Sequence, residues 1–418
     1  MKFVAKCGIL SKALEPAIGV ATRGVLKDKP EYNRLTLEVK STELIVSAFG
    51  GKLGCQLSIS DLKDQKALDL DCKTDGVVTV TASDLIKTLS SYPDESKVSI
   101  ELSGQVVIVK RVDKTNEDYQ EVAIFKDPVS VPSVAKNANK EVTIKRTMLI
   151  EGIRSVLWSC AFEENKEVLY NWRLTVSKNL VRFAAGTAGI FSILNITGKA
   201  AKTTTGTAEF LVHKEQTAPI LTVIESATDE DVVIRQSDQD KDTPAQVVFQ
   251  LENCMLIFVG IDTSLKYPPV DDVIERKPEY RIKTKVADWE YPTKGLAATY
   301  TEEIKKQHDM HESDVHFDLD KNAIFVTSRT GVKSHREIPI IEIVETGNKK
   351  KDLVYRCQTT HLGDIANRLP KDENITFQFL ELQMKPIVAV CEEHENKSWG
   401  APETVKTQQI IIFATIRS

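Results

Sequence analysis

Apolar positions along this chain follow two periods in turn, and the alternation between them is itself repeated. In the middle of the sequence Leu149, Ile153, Val156 and Cys160 recur at helical spacing, while Glu151, Arg154 and Trp158 fall on the other side. Short strand-like runs follow at Trp172 to Val176, Leu180 to Ala184 and Phe191 to Ile196. The motif then recurs, with a strand at Thr207 to Val212, a helix around Ile220 to Ile224, and strands at Val232 to Arg235, Gln246 to Leu251 and Met255 to Val259.

Comparable pairs flank this segment. In the first third, Leu10, Leu14, Ile18 and Ala21 share one helical face, with Lys12 and Glu15 elsewhere. Pro16 should kink or shorten that helix, because proline removes a backbone donor. Strands are predicted at Leu35 to Val39, Leu44 to Ala48 and Cys55 to Ile59. Ser83 then reads as the N-cap of a helix through Leu85, Ile86 and Leu89. Further strands at Val98 to Leu102, Val106 to Lys110 and Tyr119 to Phe125 lead to a linker at Pro128 to Pro132. The last third offers a helix from Thr293 to Gln307, strands at Val315 to Leu319, Ile324 to Thr327 and His335 to Ile340, and a second helix bearing Leu362, Ile365 and Leu369. Its closing strands are Ile375 to Phe379, Ile387 to Val390 and Gln409 to Ala414.

Six half-units of about 70 residues result, grouped as three tandem domains at 1–138, 139–277 and 278–418. Two helices covering the strands of each pair of half-units give an α+β domain. Three such domains form an arc if neighbouring sheets join edge to edge, and two chains close it into a ring without free edges. Twelve helices of about 10 Å width lining that ring leave an opening of about 30 Å, wide enough for duplex DNA.

Composition narrows the classes. A formal net charge of -5 argues against coating nucleic acid through bulk positive charge, though not against basic residues gathered on one surface. The seven cysteines are scattered without zinc-type spacing, which suits free thiols in a reducing cytosol. With no signal segment and no long apolar run, a soluble cytoplasmic protein is expected. His308, His311 and His316 share a polar stretch and leave open a metal-dependent hydrolase, but the HExxH arrangement is absent. Asp238, Asp240 and Asp242 imitate a calcium loop, yet Thr243 replaces the glycine of its sharp turn. A β-rich viral assembly protein is a third possibility. There is no P-loop, nucleophile elbow or dinucleotide fingerprint.

Order and spacing bring in a resemblance. Leu14 to Arg23 followed by Arg34-Leu-Thr-Leu-Glu-Val, the segment Tyr267-Pro-Pro-Val-Asp-Asp-Val-Ile and the final Ile410-Ile-Ile-Phe-Ala-Thr-Ile-Arg-Ser together resemble the bacterial-type DNA sliding clamp, the beta subunit of DNA polymerase III, or a phage version of it. The resemblance implies a non-enzymatic processivity factor without cofactor: a homodimeric ring encircling duplex DNA regardless of sequence, tethering a DNA polymerase, and opened by an ATP-dependent clamp loader.

It also implies sites. Partner peptides would dock around Tyr170, Leu174, Ala185, Thr187, Ala188, Gly189, Ile190, Pro268, Asp272, Val273, Ile412, Phe413, Ala414, Thr415 and Ile416. Here Ala185-Gly-Thr-Ala-Gly stands where the family has a polar, basic segment. Lys12, Arg23, Lys87, Arg154, Lys166, Lys214 and Arg368 are the expected phosphate contacts. The dimer contact would pair Tyr119, Val122 and Ile124 with His335, Glu337, Ile338 and Ile340 of a second copy.

Overall fold

The computed structural model describes all residues except 24–28, 30, 42, 61–68, 113–117, 135–137, 161–166, 205, 228, 240–243, 260–265, 299–310, 330–332, 346–351, 380–385, 397–403 and 414–418. Its helices are α1 (Cys7–Arg23), α2 (Ala82–Ser90), α3 (Arg146–Leu157), α4 (Thr217–Ser226), α5 (Val270–Ile274), α6 (Glu290–Ala297) and α7 (Thr359–Arg368). Contacts divide the chain into two compact units, one made of Met1–Ile150 with Ala201–Ser264, the other of Glu151–Ala200 with Leu265–Ser418. The middle third of the sequence thus contributes to both.

In the first unit a fourteen-stranded antiparallel sheet runs from Ala201–Thr203 at one end to Asp71–Thr74 at the other. Its centre joins the first and middle thirds: Cys254–Val259 pairs with Leu53–Ser60, with Leu256 opposite Cys55 and Phe258 opposite Leu53. The faces of α1 and α4 that carry Leu10, Leu14, Ile220 and Ile224 are fully buried. Helix α1 continues through Pro16 to Arg23, so the expected shortening does not occur. Helix α2 starts at Ala82 rather than after Ser83. The free Ser83 N–H of its first turn donates to Asn33 Oδ1 (3.2 Å), and Asn33 Nδ2 donates to Ser83 Oγ (2.9 Å), so the cap comes from a distant residue. The Pro128 to Pro132 segment lies on the sheet: Val129 N–H donates to Thr36 Oγ1 (2.7 Å), and Val131 packs where Gly54 has no side chain.

In the second unit eight strands follow one another as Asn171–Ser177, Leu180–Gly186, Ile190–Thr197, Val405–Phe413, Ile387–Cys391, Asn374–Phe379, Tyr280–Lys285 and Glu342–Glu345. A separate four-stranded sheet runs His335–Pro339, Ala323–Ser328, Glu312–Asp318, Asp352–Gln358. Between them lies an aromatic core in which Phe317 meets Phe379 at 4.7 Å and Trp289 meets Phe377 at 5.0 Å between ring centres. Trp289 Nε1 donates to Thr284 Oγ1 (2.9 Å), which satisfies its one polar atom inside that core. Helix α6 begins at Glu290, earlier than the spacing indicated, and the rest of the expected Thr293 to Gln307 helix lies mostly outside the described residues.

Candidate functional site

Strand periodicity decides which residues of the second unit can meet a partner. Successive side chains point to opposite faces, and the registers align the faces across strands. One face carries Leu174, Phe183, Ala185, Ile190 and Phe413, all buried. It is held against α3 and the residues after it: Ser159 Oγ donates to the Ala185 carbonyl (2.8 Å), Ser192 Oγ donates to the Ser155 carbonyl (3.0 Å), and Phe183 fills the space over Gly152.

The opposite face carries Arg173, Arg182, Ala184, Phe191, Ile193, Asn195 and Ile412, since Arg173 pairs with Ala184, Arg182 with Asn195 and Phe191 with Ile412. The segment from Tyr267 through α5 packs on this face. Phe191 meets Tyr267 edge-on at 6.3 Å between ring centres, and the Arg173 guanidinium sits 4.8 Å from the Tyr267 ring centre. The Asp271 carboxylate bridges Arg182 and, at 3.8 Å, Arg173. Arg182 Nε also donates to Asn195 Oδ1 (2.7 Å). Burial, and then the neighbouring Arg173 cation, draws the Arg182 guanidinium below its usual pKa.

The expected partner pocket therefore mixes two faces of one sheet. Leu174, Ala185, Ile190 and Phe413 belong to the helix-covered core and cannot line the same cleft as Pro268, Asp272, Val273 and Ile412. Ile412 is itself buried, whereas Tyr170, Pro268, Asp272 and Val273 keep access to solvent. Ala414, Thr415 and Ile416 lie outside the described residues. In the small-residue turn, Thr187 Oγ1 accepts from the N–H groups of Gly189 and Ile190, both at 3.1 Å. A Cβ at Gly186 would collide with the Phe191 ring, and one at Gly189 would stand 3.0 Å from the buried His361 ring on α7. The glycines are there because Phe191 and His361 occupy the volume. Reading the sequence missed Arg173, Arg182, Phe191, Tyr267 and Asp271, although alternation from Ile190 already puts Phe191 on the other face.

The basic residues stand on helices or beside them. Lys12 on α1, Lys87 on α2, Arg154 on α3 and Arg368 at the end of α7 are exposed; Lys214, in a short turn before α4, is half-buried. Arg154 has Glu151 at 3.6 Å, and Arg368 lies 5.8 Å from the Trp158 ring centre. The Arg23 side chain and Lys166 are outside the described residues.

For self-association, His335–Pro339 is an edge strand of its sheet among the described residues, and His335 and Glu337 are exposed. Ile338 is fully buried in the core, so it faces inward, and the Ile340 N–H donates to the Asn322 carbonyl (3.0 Å). Tyr119–Phe125 is not a full edge. It pairs with Val106–Arg111 along Tyr119 to Ala123, while Ile124 and Phe125 pair on the other side with Gly76–Thr81. Tyr119 is exposed and Val122 buried.

The histidine cluster is not assembled. His308 lies outside the described residues, His311 is buried with Nε2 3.3 Å from Ser328 Oγ, and His316 lies against Phe325. His311 and His316 are five residues apart along extended chain, about 16 Å, and alternate to opposite faces. Among the described residues no three His, Cys, Asp or Glu side chains are grouped for a metal ion. None of the described helices is long and apolar enough to cross a membrane.

No family profile and no curated protein matches this sequence. The fold has clear relatives among solved structures. The DNA polymerase III subunit beta from Pseudomonas aeruginosa matches with a TM-score of 0.77 at 14% identity, covering 100% of both chains. The beta subunit from Thermotoga maritima matches at 0.73 and 15% identity, again over 100% of both. The DNA polymerase sliding clamp from Bacillus subtilis matches at 0.75 and 13% identity, over 100% of this chain and 99% of that one. The chain has the sliding-clamp fold along its whole length.

Proposed function

We propose that this chain is a DNA polymerase processivity factor, a sliding clamp that closes into a ring with a second copy of itself and holds a polymerase on duplex DNA. The observation that carries the reading is the end-to-end match to clamp folds with almost nothing left over on either chain. Division into three tandem clamp domains at 1–138, 139–277 and 278–418 belongs to the same proposal.

The role asks for no catalytic group. Lys12, Lys87, Arg154, Lys214 and Arg368 would touch phosphates loosely, giving binding that is sequence-independent and weakened by salt. Retention then comes from topology. A partner peptide would lie on the outer face near Tyr170, Phe191, Pro268, Asp272 and Val273, on a wall fixed by the Asp271 bridge. An ATP-dependent loader would open the ring, and the site of action would be the cytoplasm.

The test is retention on DNA. Protein loaded on a circular duplex should run off when the circle is cut, and stay when both new ends are blocked by bound protein. Equal loss from blocked and open ends refutes encirclement.

A further inference from the structure

The sheet face that carries Phe191 and Ile412 extends well past them. Phe191 lies opposite Ile412, Ile412 opposite Val388, Val388 opposite Gln378 and Gln378 opposite Arg281, so one row of side chains crosses five strands on a single face. Beyond Ile412 this face holds a groove of about 370 Å³. Val388 and Ile412 are buried, and the open path runs beside them. Gln408, which stands opposite Asn195, lies at one end of the groove and Arg281 toward the other, with Thr376 and Gln378 between. Asn195 is the acceptor of Arg182 Nε, so the groove begins where the Asp271 bridge ends.

Charge in the groove is unevenly used. Lys283 forms an ion pair with Glu392, which also accepts from Asn374 Nδ2 (3.3 Å), and the second carboxylate, Glu342, stands opposite the same lysine. Arg281 is exposed. Among the described residues its side chain makes no ion pair or hydrogen bond, and those of Thr376, Gln378 and Gln408 make none either. An arginine fork grips a carboxylate through two parallel hydrogen bonds. Unused amides and a hydroxyl, which both donate and accept, suit the peptide groups of an extended chain. Because Glu342 and Glu392 line the same groove, a singly charged carboxylate is repelled less there than a phosphate. Four strand spacings separate Phe191 from Arg281, about 19 Å, which an extended chain covers in about six residues.

We propose that a partner segment seated against Phe191 and Tyr267 continues through this groove and sets an acidic side chain, about six residues from its apolar anchor, on Arg281. The inference rests on the peptide wall proposed above and adds a second determinant to it. Selection from a library of random peptides of about twelve residues, long enough to span both places, tests it with the whole chain as bait. Enriched sequences should combine an apolar anchor with Asp or Glu about six residues away. For such a peptide, Arg281→Ala should weaken binding about 5-fold without moving the unfolding midpoint, since the side chain is exposed. Replacing the peptide's acid by its amide should cost the same against the unaltered chain and nothing against Arg281→Ala. Arg281→Glu should be rescued by a peptide with Lys in place of the acid, a recovery not expected of a residue that merely supports the fold. Phe191→Ala should weaken every enriched peptide. Peptides that lose affinity with Phe191→Ala but not with Arg281→Ala would overturn the groove and leave the wall standing. Peptides indifferent to both substitutions, or no enrichment at all, would overturn both.

Discussion

Gly152 on α3 lies directly beneath Phe183: a Cβ at that position would overlap the phenylalanine ring. The helix rests on the sheet at this spacing because position 152 lacks a side chain. Gly152→Ala should destabilise the protein by about 1–3 kcal/mol through overpacking. Gly363 is the internal comparison, a glycine within α7 with nothing within 4 Å of the place a methyl group would take. Gly363→Ala should stabilise by about 0.5–1 kcal/mol, because alanine removes conformational freedom from the unfolded chain. Denaturant unfolding of the two variants should therefore shift in opposite directions.

Asp271 holds two cations whose side chains are only 8% and 14% exposed. Asp271→Asn leaves both guanidiniums facing a neutral group in a largely dry site. Fully buried, such a loss costs about 3–5 kcal/mol; with Asp271 itself 41% exposed, about 2 kcal/mol is expected. The same variant should loosen the Tyr267 to Ile274 segment, visible as faster amide exchange there than in the aromatic core of the same unit. Unchanged exchange would mean that the bridge does not hold the segment.

His361 and Asp364 stand one turn apart on α7 and respond to acid in opposite senses. Burial pushes the His361 imidazole down to about 4 and the Asp364 carboxyl up to about 6, with Arg368 partly opposing the latter. Between about pH 6.5 and 4 the unfolded chain binds the histidine proton more readily than the folded one, so His361 makes stability fall as pH falls through that window. Asp364 does the reverse, because between about pH 6 and 3.8 the folded state holds the extra proton. The two contributions offset each other in the native protein. Asp364→Asn should raise stability at pH 7 by about 1 kcal/mol, allowing for partial solvation of the half-buried group, and leave a steeper loss on acidification to pH 5. Thermal unfolding at pH 7, 6 and 5 checks the sign: an unchanged pH slope in the variant would refute the opposition.

Periodicity made the repeated pairing of a helix with strands legible, because burying one face of each element imposes a period of 3.6 or 2 that short-range sequence records. The stripe of Leu10, Leu14 and Ile18 and the alternation through Leu35, Leu37 and Val39 are both found buried. Helix starts were less legible where their support comes from far away. Ser83 looked like a cap, but the capping group is Asn33, 50 residues earlier.

The candidate site was half legible for a related reason. Resemblance could point to Ile190 and Ile412 without saying that one lies on the helix-covered face of the sheet and the other on the opposite face; that follows from register, which brings strands more than 200 residues apart into line.

By itself, then, the sequence determined the kind of elements, their order and their repetition, since these depend on hydrophobic spacing within a few residues. Only the tertiary structure decided which side of each strand faces outward, that Asp271 ties Arg173 to Arg182, and that Arg281 shares a sheet face with Phe191. Those facts depend on contacts between distant segments, and no local period encodes them.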